Sequence, residues 1–195
     1  VHPTKQGLKI PEMFDGAINK DVKAVWIIGE DIVQTDPNSA HVVDAMNSLE
    51  LLVVQEIFMS ETAKLATVVL PGTTFLEKNG TFTNTERRIQ RVNAAVPPLP
   101  GTKTDGNIVT DMMQKLGFDQ PTYDADQVLA EIADVVPFFK GVTRERLGKM
   151  GLQWPVQEDG TDTQILHQET FKLGKGRIKN FDWKESTEIE TNKKE

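Results

Sequence analysis

The sequence predicts an α/β fold, in which a three-layer, parallel-sheet unit of the dinucleotide-binding kind precedes a helical and irregular second region. Three short apolar runs carry this prediction, at residues 25–28, 51–54 and 68–70. Each run ends abruptly in polar residues, and helical segments separate the runs, which is typical of buried parallel strands. Ligands of open parallel sheets lie beyond the carboxyl ends of the strands. The three polar ends therefore predict a nucleotide site along one edge.

The elements of the first unit follow in order along the chain. Residues 10–19 place apolar side chains at helical spacing, which predicts an amphipathic helix. Pro37 is expected near the start of a second helix, where proline is tolerated. Ser60 or Thr62 can cap a short helix before the third strand. The strands themselves are expected at about 23–28, 50–55 and 66–70. This alternation implies right-handed crossovers and a parallel sheet.

The pattern changes after residue 73. Residues 81–83 and 88–92 predict short strands or extended segments, and Asn79-Gly80 suits a tight turn. Residues 151–183 predict loops with a small β element. Three helices are expected near 105–116, near 125–135 and after 143, with Asp105, Asp124 and Thr143 as N-caps and Gly117 just past the first.

Composition restricts the function classes. The chain has 195 residues, of which 38% are apolar and 26% charged, an ordinary globular composition. Its formal charge of −7 argues against a nucleic-acid-binding surface, which requires a basic patch. No apolar run approaches the ~20 residues of a membrane span, and no secretory signal is present. The chain contains no cysteine, so it offers no disulfide and no thiolate metal ligand, which fits a cytoplasmic location.

The polar residues at the first two strand ends are candidate ligand contacts. Gly29 allows a close approach of the backbone. Asp31 can accept hydrogen bonds from a ribose hydroxyl or from guanine, and the alternative is a turn carboxylate that binds nearby backbone N–H groups. Gln55 and Glu56 close the second strand, where dinucleotide-binding sheets carry an acidic ribose anchor. The alternative for this pair is a solvated strand end, and the absence of GxGxxG excludes a standard nicotinamide site.

Three further positions have both a structural and a binding interpretation. Thr35 precedes the helix expected near Pro37, whose free N–H groups favour phosphate, unless Thr35 or Asp36 simply caps that helix. Gly72 follows the third strand, where a tight turn alone explains a glycine. Asp105 is predicted first as an N-cap, and a capping carboxylate can also face a ligand.

Several of these strings together resemble a known family. The stretch GED…QTDP, followed by VVQEIFMSETA, VVLPGTTFLEKNGTFTNTERRIQR and KTDGNIV, closely resembles the catalytic subunit of molybdenum-dependent formate dehydrogenases. More widely, it is similar to the molybdopterin oxidoreductase superfamily, from about Gly7 to at least Trp183. The resemblance implies contacts with a pterin guanine dinucleotide for the matching positions, which are Asp31, Thr35, Gln55, Glu56, Gly72 and Asp105. Family members can carry aspartate at the position of Glu56. Glutamate keeps the carboxylate there but places it on a longer side chain.

The resemblance also implies a reaction. The intact enzyme would use a bis-molybdopterin guanine dinucleotide with molybdenum or tungsten to oxidise formate to carbon dioxide. Electrons would pass to iron–sulfur clusters and to electron-transfer subunits or domains. Because the family's metal-ligating and cluster-ligating residues lie upstream of the matching segment, we interpret the chain as an internal segment that is inactive alone. The protein supplies binding and orientation here, while the metal centre supplies the chemistry.

We divide the chain accordingly. Residues 1–73 form a partial nucleotide-binding unit, residues 74–167 a cluster-proximal region with helical insertions, and residues 168–185 a return to the nucleotide domain. Residues 186–195 form a polar tail that we expect to be disordered. A sheet of only three strands leaves an unpaired edge, so we expect the isolated chain to self-associate.

Other interpretations fit the same residues. Arg87 or Arg88 could pair with phosphate or with a cluster-bearing domain, although a solvated charge run or a structural salt bridge is the preferred interpretation. The whole chain could belong to another superfamily enzyme, such as a nitrate reductase or the large iron–sulfur subunit of NADH dehydrogenase. It could also be a non-catalytic scaffold that kept the fold and lost the cofactor.

Overall fold

The computed structural model describes residues 4–171, 174–176 and 178–183, so the tail predicted at 186–195 lies outside the described residues. The helices are α1 (Ile10–Ile18), α2 (Ile32–Thr35), α3 (Ser39–Asn47), α4 (Glu61–Lys64), α5 (Asp105–Lys115), α6 (Ala125–Val135) and α7 (Arg144–Leu147). The strands are β1 (Ala24–Ile28), β2 (Leu51–Glu56), β3 (Val68–Pro71), β4 (Gly80–Thr83), β5 (Arg88–Val92) and β6 (Leu152–Gln153). None of the helices in these ranges is long and apolar enough to cross a membrane.

The first sheet is parallel, with β2 between β1 and β3. Val54 of β2 pairs with Ile27 on one side and with Val69 on the other. Alternate β2 side chains enter the core, since Leu52 and Val54 are both buried. Phe14 and Ala17 of α1, with Val42, Ala45 and Met46 of α3, complete this first core. The α/β fold class and the three-stranded parallel sheet are confirmed.

A second, antiparallel sheet has β5 between β4 and β6. Behind it lies a separate core of five buried side chains, which are Ile89, Leu129, Val142, Leu147 and Val156. The two short strands and the small β element expected in this part of the chain are therefore present.

The tight turn of this sheet is not where the sequence predicted it. Gly80 is the first residue of β4, and the Asn79 side chain accepts a hydrogen bond from the Ala94 amide at 2.9 Å. The turn lies at residues 84–87 instead, closed by a 3.0 Å hydrogen bond from the Arg87 amide to the Asn84 carbonyl oxygen. Asn84 favours this turn because its side-chain oxygen accepts hydrogen bonds from the Glu86 amide within the turn and from the Arg88 amide at the start of β5.

The N-caps follow local sequence, with two corrections. Ser60, Asp124 and Thr143 cap their helices as predicted. Asp105 does not cap α5, because Thr104 accepts the capping bond and the Asp105 carboxylate is held by other side chains. The helix expected near Pro37 begins at Ser39 and is capped by Asn38, so neither Thr35 nor Asp36 caps it.

Arg87 is a structural residue. Its guanidinium donates hydrogen bonds to the carbonyl oxygens of Trp154, Thr163 and Gln164, and it lies over the Trp154 ring. Five fixed N–H donors suit a residue that gathers several carbonyl groups. Neither a phosphate contact nor a solvated charge describes this environment, and Arg87 instead ties the 84–87 turn to the chain after β6.

Candidate functional site

The ends of the three parallel strands meet, as the sequence predicted. The Gly29 amide donates to the Gln55 carbonyl oxygen at 2.9 Å, and the Gly72 amide donates to the Glu56 carbonyl oxygen at 3.0 Å. Gly29 has a φ of 64°, and no heavy atom lies within 4 Å of the position that a Cβ would occupy. A left-handed glycine is needed here for the backbone conformation. It leaves an open stretch of backbone that a ligand can approach.

The Asp31 carboxylate is bound within the chain. Its Oδ1 accepts hydrogen bonds from the Thr62 amide at 3.0 Å and from the Thr62 hydroxyl at 2.6 Å, and its Oδ2 accepts one from Gln34 Nε2 at 2.5 Å. The Thr62 hydroxyl is the main reason that the pKa of Asp31 lies below its ordinary value. Asp31 thus joins the loop after β1 to the start of α4. The carboxylate is thus not the local turn carboxylate of the alternative interpretation, because Thr62 lies 31 residues away, and the ligand contact stays a prediction.

The lowered pKa of Asp31 gives the first prediction, for Asp31→Asn. A carboxyl group whose folded pKa is depressed stabilises the fold above its unfolded pKa, near the ordinary value of 3.8, and loses that effect as pH falls through the folded pKa. Urea unfolding should show that the variant is less stable than wild type at neutral pH. This difference in stability should disappear as the pH falls below the folded-state pKa of Asp31. Asp44→Asn, at an exposed position of α3, is the control. If the wild type became more stable relative to Asp31→Asn as the pH fell, the lowered pKa of Asp31 would be contradicted.

A second group of polar side chains, here called the Asp105 cluster, comprises Gln55, Thr73, Lys78 and Asp105. Gln55 Nε2 donates to Asp105 Oδ1 at 2.8 Å, and Lys78 Nζ forms an ion pair with Asp105 Oδ2. Lys78 Nζ also lies 3.4 Å from the Thr73 carbonyl oxygen. A Cβ at Gly72 would lie 3.4 Å from Asp105 Oδ1, which is an ordinary van der Waals contact, so Gly72 packs directly against this carboxylate.

The electrostatics of the cluster keep Asp105 ionised. Burial alone would raise the pKa of Asp105, but the hydrogen bonds from Lys78 and Gln55 and the charge of Lys78 outweigh it, so that the pKa lies below its ordinary value. Beside the cluster a cleft of about 240 Å³ runs between β4, the start of α5 and α6. Tyr123 lines this cleft, and its pKa is raised by burial and by the charge of Asp105.

Two buried polar atoms of the cluster have no hydrogen-bond partner among the described residues. They are Gln55 Oε1 and Thr73 Oγ1, and both side chains are almost fully buried. Buried polar groups are nearly always paired, and an exception calls for an explanation. Both atoms can accept a hydrogen bond. The cluster thus retains two unsatisfied acceptors, both closed off from solvent in this structure.

The remaining predicted residues lie nearby but are differently engaged. Glu56 is half-buried, and its Oε1 accepts a hydrogen bond from the Ile57 amide at 2.7 Å. Thr35 lies at the end of α2 and donates to Glu30 Oε1 at 2.9 Å. It is not at a helix start, so the phosphate argument made for it from sequence does not apply. The structure thus arranges the predicted residues in two groups, one around Asp31 and one around Asp105.

Sequence reasoning missed three residues of this region. Thr73 and Lys78 had no local signal, because Lys78 meets Asp105 only through the fold. Glu77 had one, since Thr74-x-x-Glu77 matches a capping box. Glu77 Oε2 accepts from the Thr74 amide at 2.8 Å, and its Oε1 accepts from the Leu99 amide at 2.9 Å. These backbone amides lower the pKa of Glu77. The same hydrogen bonds fix the turn that leads to Lys78.

Comparison with solved structures supports the same fold. The structure of acetylene hydratase from Pelobacter acetylenicus matches with a TM-score of 0.57 and 20% sequence identity, over 69% of this chain and 19% of that chain. At this identity the match shows the fold alone.

Comparison with known sequences reveals much closer relatives. The chain is 44% identical over 178 residues to the F420-dependent formate dehydrogenase subunit alpha of Methanocaldococcus jannaschii, which covers 90% of this chain and 26% of that protein. It is 43% identical over 190 residues to the F420-dependent formate dehydrogenase 1 subunit alpha of Methanococcus maripaludis, which covers 94% of this chain and 28% of that protein. The chain thus spans little more than a quarter of the length of these relatives.

The family model described as molybdopterin oxidoreductase matches residues 2–115. This match includes all of the parallel sheet, both groups of predicted site residues and the whole of α5. Since the match covers more than half of the chain, this protein belongs to the molybdopterin oxidoreductase family.

Proposed function

We propose that this chain is the part of a formate dehydrogenase that holds the nucleotide end of a molybdopterin cofactor, in the form of a bis-molybdopterin guanine dinucleotide with molybdenum or tungsten. The observation that carries the proposal is the convergence of Gly29, Gln55, Glu56 and Gly72 at the carboxyl edge of the parallel sheet. This edge is where open parallel sheets bind nucleotides. The identity of 43–44% to formate dehydrogenase alpha subunits supports the choice of formate as the substrate.

The residues at this edge fit the chemistry of a guanine nucleotide. Guanine presents N–H donors, and a ribose presents hydroxyl groups. Gln55 Oε1 and Thr73 Oγ1 are acceptors without a partner in the described part of the chain. Glu56 is a half-buried carboxylate with one oxygen bound to a backbone amide, and Gly29 offers open backbone. The positive φ of Gly29 and the open space around it favour close approach.

Each predicted residue has a role in this proposal. Gln55 and Glu56 orient the nucleotide, Gly29 lets it approach the backbone, and Gly72 holds the residue after β3 beside Glu56. Asp31 holds the loop between β1 and α2 in place through Thr62. Thr35 supports the same loop by donating a hydrogen bond to Glu30. Asp105 orients the Gln55 amide. When bound, the metal–pterin group would supply the chemistry, the two-electron oxidation of formate to carbon dioxide and a proton.

Other parts of the enzyme would come from outside this chain. The chain has no cysteine, so the thiolate ligands of iron–sulfur clusters and of the metal would be supplied elsewhere. Within the described ranges, no cluster of three or more histidine, aspartate or glutamate side chains forms a metal site. Electron-transfer partners and a cytoplasmic location belong to the proposal as well. We expect the isolated chain to be unable to reduce a dye with formate, and measurable formate-dependent reduction would contradict this.

The test of the proposal uses the full-length protein that contains this chain. Denaturation should release pterin and guanine nucleotide, elemental analysis should find molybdenum or tungsten, and formate should reduce an artificial dye. Pterin and metal without formate activity would indicate another oxidoreductase of the family. A folded protein without pterin would indicate a scaffold and would overturn the proposal.

Glu56→Ala in that protein should lower the pterin content without changing the thermal unfolding temperature of the cofactor-free protein. A charge-assisted hydrogen bond contributes about 1.5–3 kcal/mol, so affinity should fall by about tenfold to a hundredfold. Asp31→Ala should lower the pterin content too, together with some stability, because it also releases Thr62. Asp44→Ala is the control for both. Undiminished pterin in both variants would place the binding edge elsewhere.

A further inference from the structure

A proline-rich connection joins β5 to α5 and takes no part in the proposed cofactor site. Residues 94–101 have the sequence Ala-Ala-Val-Pro-Pro-Leu-Pro-Gly, and every one of these residues is exposed. The side chains of Val96 and Leu99 are 49% and 66% exposed. A contiguous run of exposed apolar residues, unlike a single one, calls for an explanation.

The prolines fix the backbone of this connection as a polyproline II segment. Proline locks its own φ at about −65°, and the residue before a proline is restricted to extended or polyproline II conformations. Val96, Pro97 and Leu99 each precede a proline, and the residue between Pro97 and Leu99 is itself a proline. The restriction therefore covers the whole run from residue 96 to 99, which belongs to no helix and no strand.

Hydrogen bonds hold both ends of the segment against the body of the protein. At its start, the Val96 amide donates to the Leu76 carbonyl oxygen at 3.1 Å. At its end, the Leu99 amide donates to Glu77 Oε1 at 2.9 Å, and the Leu99 carbonyl oxygen accepts from the Thr102 amide at 3.1 Å, which closes a turn. A segment that is already held in its bound conformation loses little entropy when a partner binds it.

Between these anchors the segment presents a specific chemistry. No backbone amide in the described part of the chain donates to the carbonyl oxygens of Val96, Pro97 or Pro98. Polyproline II ligands carry the pattern Pro-x-x-Pro, and they dock in grooves lined by aromatic side chains. Pro97 and Pro100 have this spacing. The segment therefore offers proline rings and free acceptors in the arrangement that such grooves bind.

We propose that residues 96–100 are a docking segment for a separate protein that carries an aromatic-lined groove. The aromatic rings of the groove pack on the prolines, and its N–H and O–H donors meet the free carbonyl oxygens. The contact is weak and reversible, because so short a segment buries less area than a stable interface requires. The proposal goes beyond the cofactor and does not depend on it.

The experiment uses a WW domain selected for Pro-Pro-Leu-Pro peptides as the probe, added to the full-length protein that contains this chain. Binding is followed by the fluorescence anisotropy of the labelled probe. Combining Pro97→Ala with Pro100→Ala should weaken binding about tenfold or more, since these rings fill the pockets of the groove. Leu99→Ala should weaken binding as well and leave the thermal unfolding temperature unchanged, because its side chain lies mostly in water.

Two matched variants leave the segment intact. Leu116 lies directly after α5 and is 68% exposed, so Leu116→Ala is the control for Leu99→Ala. Pro121 is an exposed proline outside the helices and strands, so Pro121→Ala is the control for the proline variants. Both should bind the probe as wild type does, and a probe that lacks the tryptophan of its groove should bind none of the proteins.

The outcomes separate the alternatives. A wild type that does not bind the probe, or equal binding by all variants, would overturn the proposal. If the isolated chain binds the probe and the full-length protein does not, another part of the same polypeptide covers the segment, and the proposal of a separate partner fails. A full-length protein that binds the probe but holds no pterin keeps the docking segment, while the proposed function fails.

Discussion

Gly141→Ala should strongly destabilise the second core of the chain. A Cβ at this position would lie 1.6 Å from the carbonyl oxygen of Gln157, and that oxygen belongs to backbone that side-chain rotation cannot move. Gly141 is buried, and its amide donates to the Val156 carbonyl oxygen at 3.2 Å. Forcing an extra carbon into a packed site costs about 1–3 kcal/mol. Here the backbone around Gly141 must move away from the backbone around Gln157. We therefore expect a loss of stability at or above the upper end of that range.

The measurement is chemical denaturation followed by circular dichroism and by tryptophan fluorescence, since Trp154 packs against this core. Gly7→Ala is the matched control, because Gly7 is exposed and no atom lies within 4 Å of the added carbon. The control should unfold like wild type. A Gly141→Ala variant of equal stability would show that residues 137–142 do not pack on residues 155–157 as described.

Leu52→Ala should remove a large part of the stability of the parallel sheet. Leu52 lies in the middle strand and is 2% exposed, in contact with the first core. Truncating a buried leucine costs about 2–5 kcal/mol, since the cavity closes only partly. A domain has only about 5–15 kcal/mol of stability in total. Because β2 carries Gln55 and Glu56, the binding edge should lose its order together with the sheet.

Its neighbour provides the control. Leu51 belongs to the same strand but points the other way and is 39% exposed. Leu51→Ala should therefore cost much less, and the comparison holds residue type and strand position nearly constant. Denaturation midpoints with equal slopes would measure the difference directly. Equal losses in the two variants would contradict the assignment of the inner face of β2.

The sequence anticipated most of the elements because their signals are local. The apolar runs that became β1, β2 and β3 end within two residues of the predicted bounds, and Asp124 and Thr143 cap the expected helices. The errors came from competing local signals. Asn79-Gly80 resembles a turn as much as Asn84 does, and Thr104 stands beside Asp105 as an equally good cap. The proposed domain boundaries stay a prediction.

The candidate site was predictable only in part. The carboxyl ends of parallel strands meet by geometry, so Gly29, Gln55, Glu56 and Gly72 could be grouped from sequence. How each side chain is used could not be predicted. Asp31 Oδ1 accepts hydrogen bonds from Thr62, which lies 31 residues away in the sequence. The Thr35 hydroxyl donates to the Glu30 carboxylate.

The sequence by itself determined the α/β class, the parallel strands and the edge on which the candidate residues gather. Those features depend on apolar periodicity and capping, which act over a few neighbouring residues. Only the tertiary structure decided that Asp105 meets Gln55, 50 residues earlier, and Lys78, 27 residues earlier. The reason is physical. A hydrogen bond needs its atoms placed within a few tenths of an ångström, and across such separations in sequence only the packed core fixes positions so closely.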